Sequence, residues 1–414
     1  MRLTKLAIDR IPPPPTGQEF HFDDTMKGFG LRVTASGTKS FIVDKRIDGK
    51  KKRITIGRYG EITVEQARRQ AQGLLGEIAA GGDPVREKKE EALKRKTLGE
   101  VFEDYLVARK NLTAKTVSHY RRVLTLHFSD WMERPILSIT KDAIQKRHTQ
   151  IGKDHGEPYA NLGMRVVRAL FNFAIGAYED GQGRSLILEN PVKRLSQTRA
   201  WFREERRQTL IKPHDMAAWY QGVMALENPV LRDYLLLLIF TGLRREEGAQ
   251  LRWEHVDFIG KALTIPGEQD TKNPGTKNHD THTLPLSGFL LDLLTNRRQE
   301  VGESAFVFPG GGAGGYIVEP RKQMAKVTEM SGVKFTVHDL RRTFITLAEG
   351  LDIPAYALKK LLNHRNTSDV TGGYIIIDTE RLRGPMEKIS AAMLSWMGVV
   401  PAAEVIPLQK EAIA

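Results

Sequence analysis

The sequence predicts a multidomain, mainly α protein with small β elements, and three observations lead to that prediction. The chain has 414 residues, which is enough for two to four domains that each bury a core. Apolar and polar residues alternate only in short segments, whereas helical spacing of apolar residues dominates elsewhere. Pro, Gly and charged stretches divide the chain into three blocks. We therefore predict domains at 1–92, 97–190 and 209–398, followed by a tail at 399–414.

The first block predicts a small antiparallel sheet packed against one helix. Residues 28–59 alternate apolar and polar side chains, with turn signals at 36–37 and 48–49, and this pattern predicts three strands. Thr63, followed by Gln66 three positions later, is typical of a capping box at the start of a helix. That helix is expected to end before the Gly-Gly-Asp-Pro sequence.

The second predicted hairpin of this sheet is strongly basic. A two-stranded ribbon of this width and charge can enter the major groove of DNA. The alternative is a hairpin tip whose charges are merely solvated. The basic residues are Lys45, Arg46, Lys50, Lys51, Lys52, Arg53 and Arg58.

The second block predicts a small all-helical domain. Residues 85–96 have mixed charge and no apolar stripe, so we interpret them as a linker that is helical in part. From Thr97 onward, four or five segments with helical spacing are separated by Pro and Gly. Some of their basic residues could follow the phosphates of DNA, although each one taken singly is more often a solvated charge. These residues are Lys115, Arg121, Arg165 and Arg168.

The third block combines helices with two short strands. Leu231 to Phe240 is too apolar for a surface helix, so we expect it to be buried. The sequences ALTIPG and THTLPLS predict strands joined by a polar loop. A last helix packs either on its own domain or on a neighbouring copy of the chain. Its apolar residues at helical spacing include Ile389, Met393, Leu394 and Trp396.

Composition narrows the class of partner and of chemistry. Lys and Arg number 63 against 50 Asp and Glu, giving a net charge of +13, which favours a polyanionic partner such as nucleic acid. The chain has no cysteine, so disulfides, thiolate zinc sites and cysteine nucleophiles are excluded. The N-terminus lacks the apolar core of a signal peptide, and no apolar run is long enough to span a bilayer. We expect a cytoplasmic protein.

Ionisable residues in the third block suggest one anion-binding site. In the segment VHDLRRTF, residues 337–344, His338 and Arg341 lie three positions apart on a predicted helix, so their donors can converge on an anion. Other ionisable residues follow structural breaks. They are Arg244 after a Thr-Gly break, Lys277 in the polar loop, His364 after an apolar helix and Tyr374 after two glycines.

This series of residues resembles the catalytic domain of the tyrosine recombinase family, the phage-type integrases. That family carries an Arg after Thr-Gly-Leu, a hairpin Lys, a His-x-x-Arg, a second His or Trp and a Tyr nucleophile. Every element occurs here in that order, between Thr241 and Tyr374. The motifs GFGLRVTASGTKSFIV, IDGKKKRITIGRYG, VEQAR and GGDP resemble the arm-binding domain of prophage and genomic-island integrases. The helical block resembles their core-binding domain, so the resemblance covers nearly the whole chain.

The resemblance implies DNA cleavage through a covalent 3′-phosphotyrosyl intermediate. Arg244 and Arg341 would clamp the scissile phosphate, because guanidinium groups match phosphate oxygens bidentately. Tyr374 would attack phosphorus with the assistance of His338, since a phenol of pKa about 10 is a poor nucleophile until its proton is removed.

Three further residues complete the implied site. Lys277 would protonate the leaving 5′ oxygen. The sequence TKN occurs twice, which makes Lys272 an alternative, but Lys277 stands where the hairpin lysine of the family falls. His364 would hydrogen-bond a phosphate oxygen. Glu247, three residues after Arg244 on the same helix face, would support the site.

The same resemblance implies double-stranded DNA as the partner, at core and arm attachment sites, and a homotetramer on paired sites. An excisionase and a host DNA-bending protein are candidate accessory partners. No cofactor is expected, neither metal nor ATP, because a phosphotyrosyl bond conserves the energy of the diester for rejoining. The chain also has no G-x-x-x-x-G-K-[ST] sequence. We expect a bacterial protein associated with the nucleoid.

The leading interpretation is therefore a site-specific recombinase that integrates or excises a mobile element. A type IB topoisomerase shares the chemistry but relaxes DNA as a monomer, and the N-terminal sheet domain argues against it. A DNA-binding regulator with an inactive recombinase fold is the third interpretation. The presence of all five elements of the catalytic motif argues against that one.

Overall fold

A computed structural model describes residues 1–47, 49–205, 207–267, 275–276, 279–318, 320–363 and 378–399. The chain divides into two compact units, residues 1–205 and 206–414. Both units are mainly helical and each contains one small antiparallel sheet, which confirms the predicted fold class.

The N-terminal sheet has four strands, one more than the sequence predicts. All strands are antiparallel in the order β1-β2-β3-β4, and the three predicted strands are β2, β3 and β4. The additional strand β1 lies at the edge, and its residues are exposed or only half-buried. An edge strand of this kind shows no clear alternation, which is why the pattern missed it. The elements are α1 (Lys5–Asp9), β1 (Gln18–Phe22), β2 (Phe29–Thr34), β3 (Lys39–Ile47), β4 (Lys50–Arg58) and α2 (Val64–Ala79).

Helix α2 covers one face of this sheet. It begins with the predicted capping box, in which Thr63 and Gln66 exchange side-chain-to-backbone hydrogen bonds. Its buried residues, such as Ala67, pack with buried residues of the strands in one hydrophobic cluster. The buried Asp23 carboxylate fastens the N-terminal segment, because it accepts hydrogen bonds from the Leu3 N–H at 2.8 Å and from Arg68 at 2.7 Å.

The helix α3 occupies the predicted linker and is followed by a second hydrophobic cluster. Asp83 caps α3 and Pro84 occupies its first turn, which explains where it begins. Four helices, α4 to α7, follow within residues 97–190, in agreement with the four or five predicted there, and the short helix α8 lies beyond residue 190. The division of this unit near residues 92–97 stays a prediction. The helices are α3 (Pro84–Lys94), α4 (Leu98–Ala108), α5 (Ala114–His127), α6 (Lys141–His155), α7 (Glu157–Ala177) and α8 (Lys193–Gln197).

The second unit is built around the apolar helix α10. Every residue from Leu231 to Phe240 except Arg232 is buried, as the sequence predicts. The two predicted strands are β6 and β7, and a two-residue strand β5 extends their sheet in the order β5-β6-β7. The first elements are α9 (Met216–Met224), α10 (Pro229–Thr241), α11 (Arg245–Ala249), β5 (Val256–Asp257), β6 (Ala262–Ile265) and β7 (His282–Pro285).

The last helix packs on its own unit, which is the first of the two alternatives given by the sequence. Ile389 and Met393 are fully buried in the same hydrophobic cluster as α10, and Leu394 and Trp396 are partly buried against it. Along the part of the chain that is described, no helix is both long and apolar enough to cross a bilayer. The remaining helices are α12 (Gly288–Glu300), α13 (Arg321–Ser331), α14 (Val337–Gly350), α15 (Ala355–Leu361) and α16 (Thr379–Trp396).

Candidate active site

A turn at a glycine positions Arg244 directly after the buried helix α10. Helix α10 ends at Thr241, and the next residue, Gly242, caps it with a left-handed backbone, φ 63°. A Cβ at this position would lie 2.6 Å from the ring of Phe344, so only glycine fits without movement. The chain then reverses, and Arg244 becomes the N-terminal cap of α11.

Glu247 holds Arg244 in place from the next turn of the chain. The Arg244 backbone N–H donates to Glu247 Oε2 at 3.0 Å, and its guanidinium Nη1 donates to Oε1 at 2.7 Å. Burial alone would raise the pKa of Glu247, but these hydrogen bonds from Arg244 hold it below its usual value. Glu247 is thus an ionised, buried partner of Arg244.

Arg341 is buried and hydrogen-bonded to two backbone carbonyls. Its Nη1 donates to the Gly242 carbonyl at 2.5 Å, and its Nη2 donates to the Leu362 carbonyl at 2.8 Å. Burial, together with the nearby charge of Arg244, lowers the pKa of Arg341 to about 10. It therefore stays protonated at neutral pH, as a second cation beside the Arg244–Glu247 pair.

His338 occupies the first turn of α14 and is exposed, whereas Arg341 is 6% exposed. His338 lines two clefts of about 480 and 590 Å³, with Arg245 and Arg321 in the first and Arg342 in the second. Partial desolvation of the ring, followed by the charges of Arg342 and Arg341, lowers the pKa of His338. This shift favours the neutral imidazole, which can accept a proton.

The sequence analysis missed His282, the first residue of β7. It is 2% exposed, and its Nε2 lies 3.0 Å from the Leu361 carbonyl oxygen. Burial lowers its pKa to about 4, and the charges of Glu247, Arg341 and Arg244 also act on it. His282 therefore belongs to the same buried cluster. Its only sequence signal is its inward position in the alternating THTLPLS strand, which gives no hint of these neighbours.

Asp339 was also missed, although a signal for it exists. It caps α14 by accepting hydrogen bonds from the backbone N–H and the hydroxyl of Thr336, both at 2.8 Å. Thr209 donates to its other oxygen at 2.8 Å. The T-x-x-D spacing of a capping box predicts this role. By fixing the start of α14, Asp339 positions the turn that carries His338.

Lys277, His364 and Tyr374 lie outside the described residues, and so does Lys272. The described residues beside them show how two segments meet. The Asn363 side chain donates to the Asp280 carbonyl at 3.2 Å, and Thr276 Oγ1 donates to the same carbonyl at 2.8 Å. The β6–β7 loop and the end of α15 are therefore in contact.

The basic residues of the N-terminal hairpin differ in how they are held. Lys52 forms an ion pair with Asp83, which is 2% exposed. The Arg53 guanidinium donates to Asp44 at 2.8 Å and lies 3.6 Å above the ring of Phe20. The Lys51 ammonium lies 3.5 Å from Asp44, the Arg58 guanidinium lies 3.9 Å from Glu61, and both residues are exposed. Lys45, Arg46 and Lys50 are exposed as well.

The basic residues predicted for the second block are all exposed. Arg121 pairs with Glu103 at 2.9 Å, and Arg165 pairs with Glu204 at 2.7 Å. A role in DNA binding stays a prediction for these two residues and for Lys115 and Arg168. Among the residues that the structure describes, no three or more His, Asp or Glu side chains are grouped so that they could hold a metal ion.

Comparison with known proteins gives matches at both ends of the chain. The profile of the arm DNA-binding domain matches residues 3–91, and that of the phage integrase family matches residues 222–381. The prophage integrase IntF of Escherichia coli K12 is 26% identical over 432 residues, covering 94% of this chain and 89% of the relative.

Two solved structures share the fold. The Tn1549 transposon integrase, in complex with a circular intermediate DNA, matches 70% of this chain and 99% of its own, with a TM-score of 0.55 and 15% identity. A lambda integrase tetramer bound to a Holliday junction matches 87% of this chain and 98% of its own, with a TM-score of 0.53 and 18% identity. Together, the two profile matches and the prophage integrase relative support a tyrosine recombinase with an N-terminal arm DNA-binding domain.

Proposed function

We propose that the protein is a site-specific DNA recombinase that integrates or excises a mobile element by cleaving and rejoining DNA through Tyr374. The observation that carries this proposal is the cluster formed by the buried residues Arg341, Glu247 and His282 together with the half-buried Arg244. It contains two guanidinium cations, one carboxylate and one neutral imidazole. Its net positive charge, held inside a core, suits a phosphate that enters from outside.

Cleavage exchanges one phosphodiester for another. The Tyr374 phenol oxygen forms a bond to phosphorus, and the bond from phosphorus to the 5′ oxygen breaks. The phenol proton passes to His338, whose lowered pKa favours the neutral imidazole that can accept that proton. Lys277 donates a proton to the departing 5′ oxygen, and His364 hydrogen-bonds a phosphate oxygen.

The arginines stabilise the charge that builds on the non-bridging oxygens during this exchange. Their geometry is set before DNA arrives, since Glu247 holds Arg244 and the Gly242 and Leu362 carbonyls hold Arg341. Donors that need no reorganisation are worth more in the transition state than mobile ones. Attack by a free 5′ hydroxyl on the phosphotyrosine reverses the steps and rejoins the strands.

The DNA partner contacts both ends of the chain. The exposed residues of the N-terminal hairpin bind arm sites, and the helices between 97 and 190 bind the core site together with the catalytic domain at 209–398. Lambda integrase, whose fold this chain shares, forms a tetramer on a Holliday junction. We extend that assembly to this chain on paired sites in the bacterial nucleoid, with an excisionase and a host DNA-bending protein as accessory factors.

A suicide substrate tests the proposal. A core-site duplex with a nick near the cleavage position loses its 5′ fragment after attack, so the covalent complex accumulates and is measured on a denaturing gel. The wild type is expected to form a 3′-phosphotyrosyl complex, and Tyr374→Phe to bind DNA without forming one. Tyr316→Phe is the matched control and should react as the wild type.

Two outcomes would contradict the proposal. A covalent complex formed by Tyr374→Phe would place the nucleophile elsewhere. DNA binding by the wild type without any covalent complex would favour a regulator with an inactive recombinase fold.

A further inference from the structure

The C-terminal end of α15 is held by two side chains from other elements. A helix leaves its last carbonyls without partners inside the helix. Here the Leu361 carbonyl oxygen lies 3.0 Å from His282 Nε2, and the Leu362 carbonyl accepts from Arg341 Nη2 at 2.8 Å. Consecutive peptide groups therefore connect β7 with α14.

The carbonyl partner determines which nitrogen of the His282 imidazole carries the hydrogen. A carbonyl oxygen can only accept, so His282 Nε2 must carry the hydrogen. Its Nδ1 is buried and has no hydrogen-bond partner among the residues that the structure describes. Arg244 and Arg341 oppose a second proton on the ring, while Glu247 favours it, and burial decides the balance against it. His282 is thus a neutral donor with one acceptor.

This arrangement links His282 to the guanidinium of Arg341. The Leu362 carbonyl orients Arg341 from one side, and the Gly242 carbonyl orients it from the other. If the peptide between Leu361 and Leu362 shifts, one of these two acceptors shifts with it. Misplacement of a reacting group by about 1 Å can slow an enzymatic step by about 10²-fold.

We propose that His282 is a positioning residue of the cleavage reaction, whose neutral imidazole holds the end of α15 and thereby fixes Arg341 against the scissile phosphate. The proposal rests on the recombinase function proposed above. His282 does not touch DNA, and its effect passes through the Leu361–Leu362 peptide group. The role requires one N–H at the Nε2 position and nothing else from the ring.

Two substitutions with amide side chains of different length test that requirement. The side-chain N–H of His282→Gln falls near the place of Nε2, whereas that of His282→Asn falls near Nδ1 and cannot reach Leu361. Under single-turnover conditions on the suicide substrate, we expect the Asn variant to form the covalent complex about 10²-fold more slowly. The Gln variant should recover most of the rate. Affinity for the core site, measured separately, should not change in either variant.

A double variant separates positioning from general destabilisation. If His282 acts through Arg341, adding His282→Asn to Arg341→Lys should cause no further loss of rate, because the guanidinium to be positioned is already gone. Ser331→Ala is the matched control, since Ser331 Oγ donates to the Val327 carbonyl at 2.6 Å at the end of a different helix, α13. It should leave the rate unchanged. If the Asn variant does not fold, His282→Leu replaces it as the variant without a donor.

The outcomes are distinguishable. A wild type that forms no covalent complex contradicts the recombinase function itself. A wild type that reacts, with an Asn or Leu variant that reacts equally fast, overturns the role of His282. So does a folded Gln variant as slow as the Asn variant, or a double variant in which the two losses multiply.

Discussion

Clustered cations occur in the N-terminal hairpin and in the catalytic unit, and the two regions hold them differently. In the hairpin, Lys45, Arg46 and Lys50 are exposed to solvent. In the catalytic unit, Arg341 is 6% exposed and donates to two backbone carbonyls. Exposed cations attract any polyanion, and salt in the solution screens this attraction over a short distance. Buried ones act only on an anion brought to a fixed place, so the first region suits affinity and the second suits chemistry.

The largest effect is expected from replacing a buried cation of the catalytic unit. Replacing Arg341 by Lys keeps a positive charge but removes the planar pair of donors that a phosphate needs. We expect the single-turnover rate of covalent-complex formation to fall by about 10²- to 10³-fold, the usual loss when one stabilising donor is removed. DNA affinity should change much less.

Arg297→Lys is the control for that experiment. Arg297 is 1% exposed, donates to the Val307 carbonyl at 2.9 Å and to Asp233 at 2.6 Å, and lies on α12 of the same unit. Its replacement should lower stability and leave the chemical rate of the folded protein intact. Equal losses of rate in the two variants would show that burial, and not the place of Arg341, governs the effect.

Acid should lower the stability of the catalytic unit through the buried residue His282. The pKa of His282 is about 4 in the folded chain and about 6.5 when unfolded, so only the unfolded chain binds this proton between those values. Stability that is fully present above pH 6.5 is therefore lost as pH falls towards 4, by an amount on the order of 3 kcal/mol. The charged groups that act on the ring are Glu247, Arg244 and Arg341.

Urea unfolding at several pH values between 4 and 7.5 measures this dependence. The His282→Gln variant has no group that titrates here, so its stability should fall less than that of the wild type over the same window. Parallel curves for the two proteins would mean that His282 is protonated equally in both states.

The smallest expected effects distinguish two lysines within the hairpin. Lys52→Gln leaves the buried Asp83 carboxylate without its cation, and we expect a loss of about 1–3 kcal/mol in the unfolding free energy of residues 1–205, measured by hydrogen exchange. Lys50→Gln should leave stability unchanged and reduce the salt dependence of arm-site binding by about 0.9 in slope. If Lys52→Gln instead changed the slope and spared stability, Lys52 would be a phosphate contact like its neighbours.

The sequence predicts best those features that depend on neighbours along the chain. The capping box at Thr63 and the buried helix from Leu231 to Phe240 follow from local spacing, and both are present. The edge strand β1 is missing from the prediction because neither of its faces is fully buried. Local pattern therefore determines most elements but not the exposed margin of a sheet.

The site is predicted less completely, because its contacts join distant residues. Arg244 and Glu247 are three positions apart, and their contact is predictable from helical spacing. His282 and Leu361 are 79 positions apart, and no spacing in the sequence relates them. Lys52 and Asp83 likewise meet across 31 positions, so the sequence could not distinguish Lys52 from the exposed lysines beside it.

Gly242 has a consequence for how mutations in this chain will be interpreted. Its missing Cβ leaves room for the Phe344 ring, and its carbonyl accepts from Arg341. A genetic screen that scores recombination would therefore classify position 242 with the nucleophile and the arginines, although it has no side chain to offer. Inherited variation at this codon should be as rare as at a catalytic one, for reasons of space and backbone direction alone.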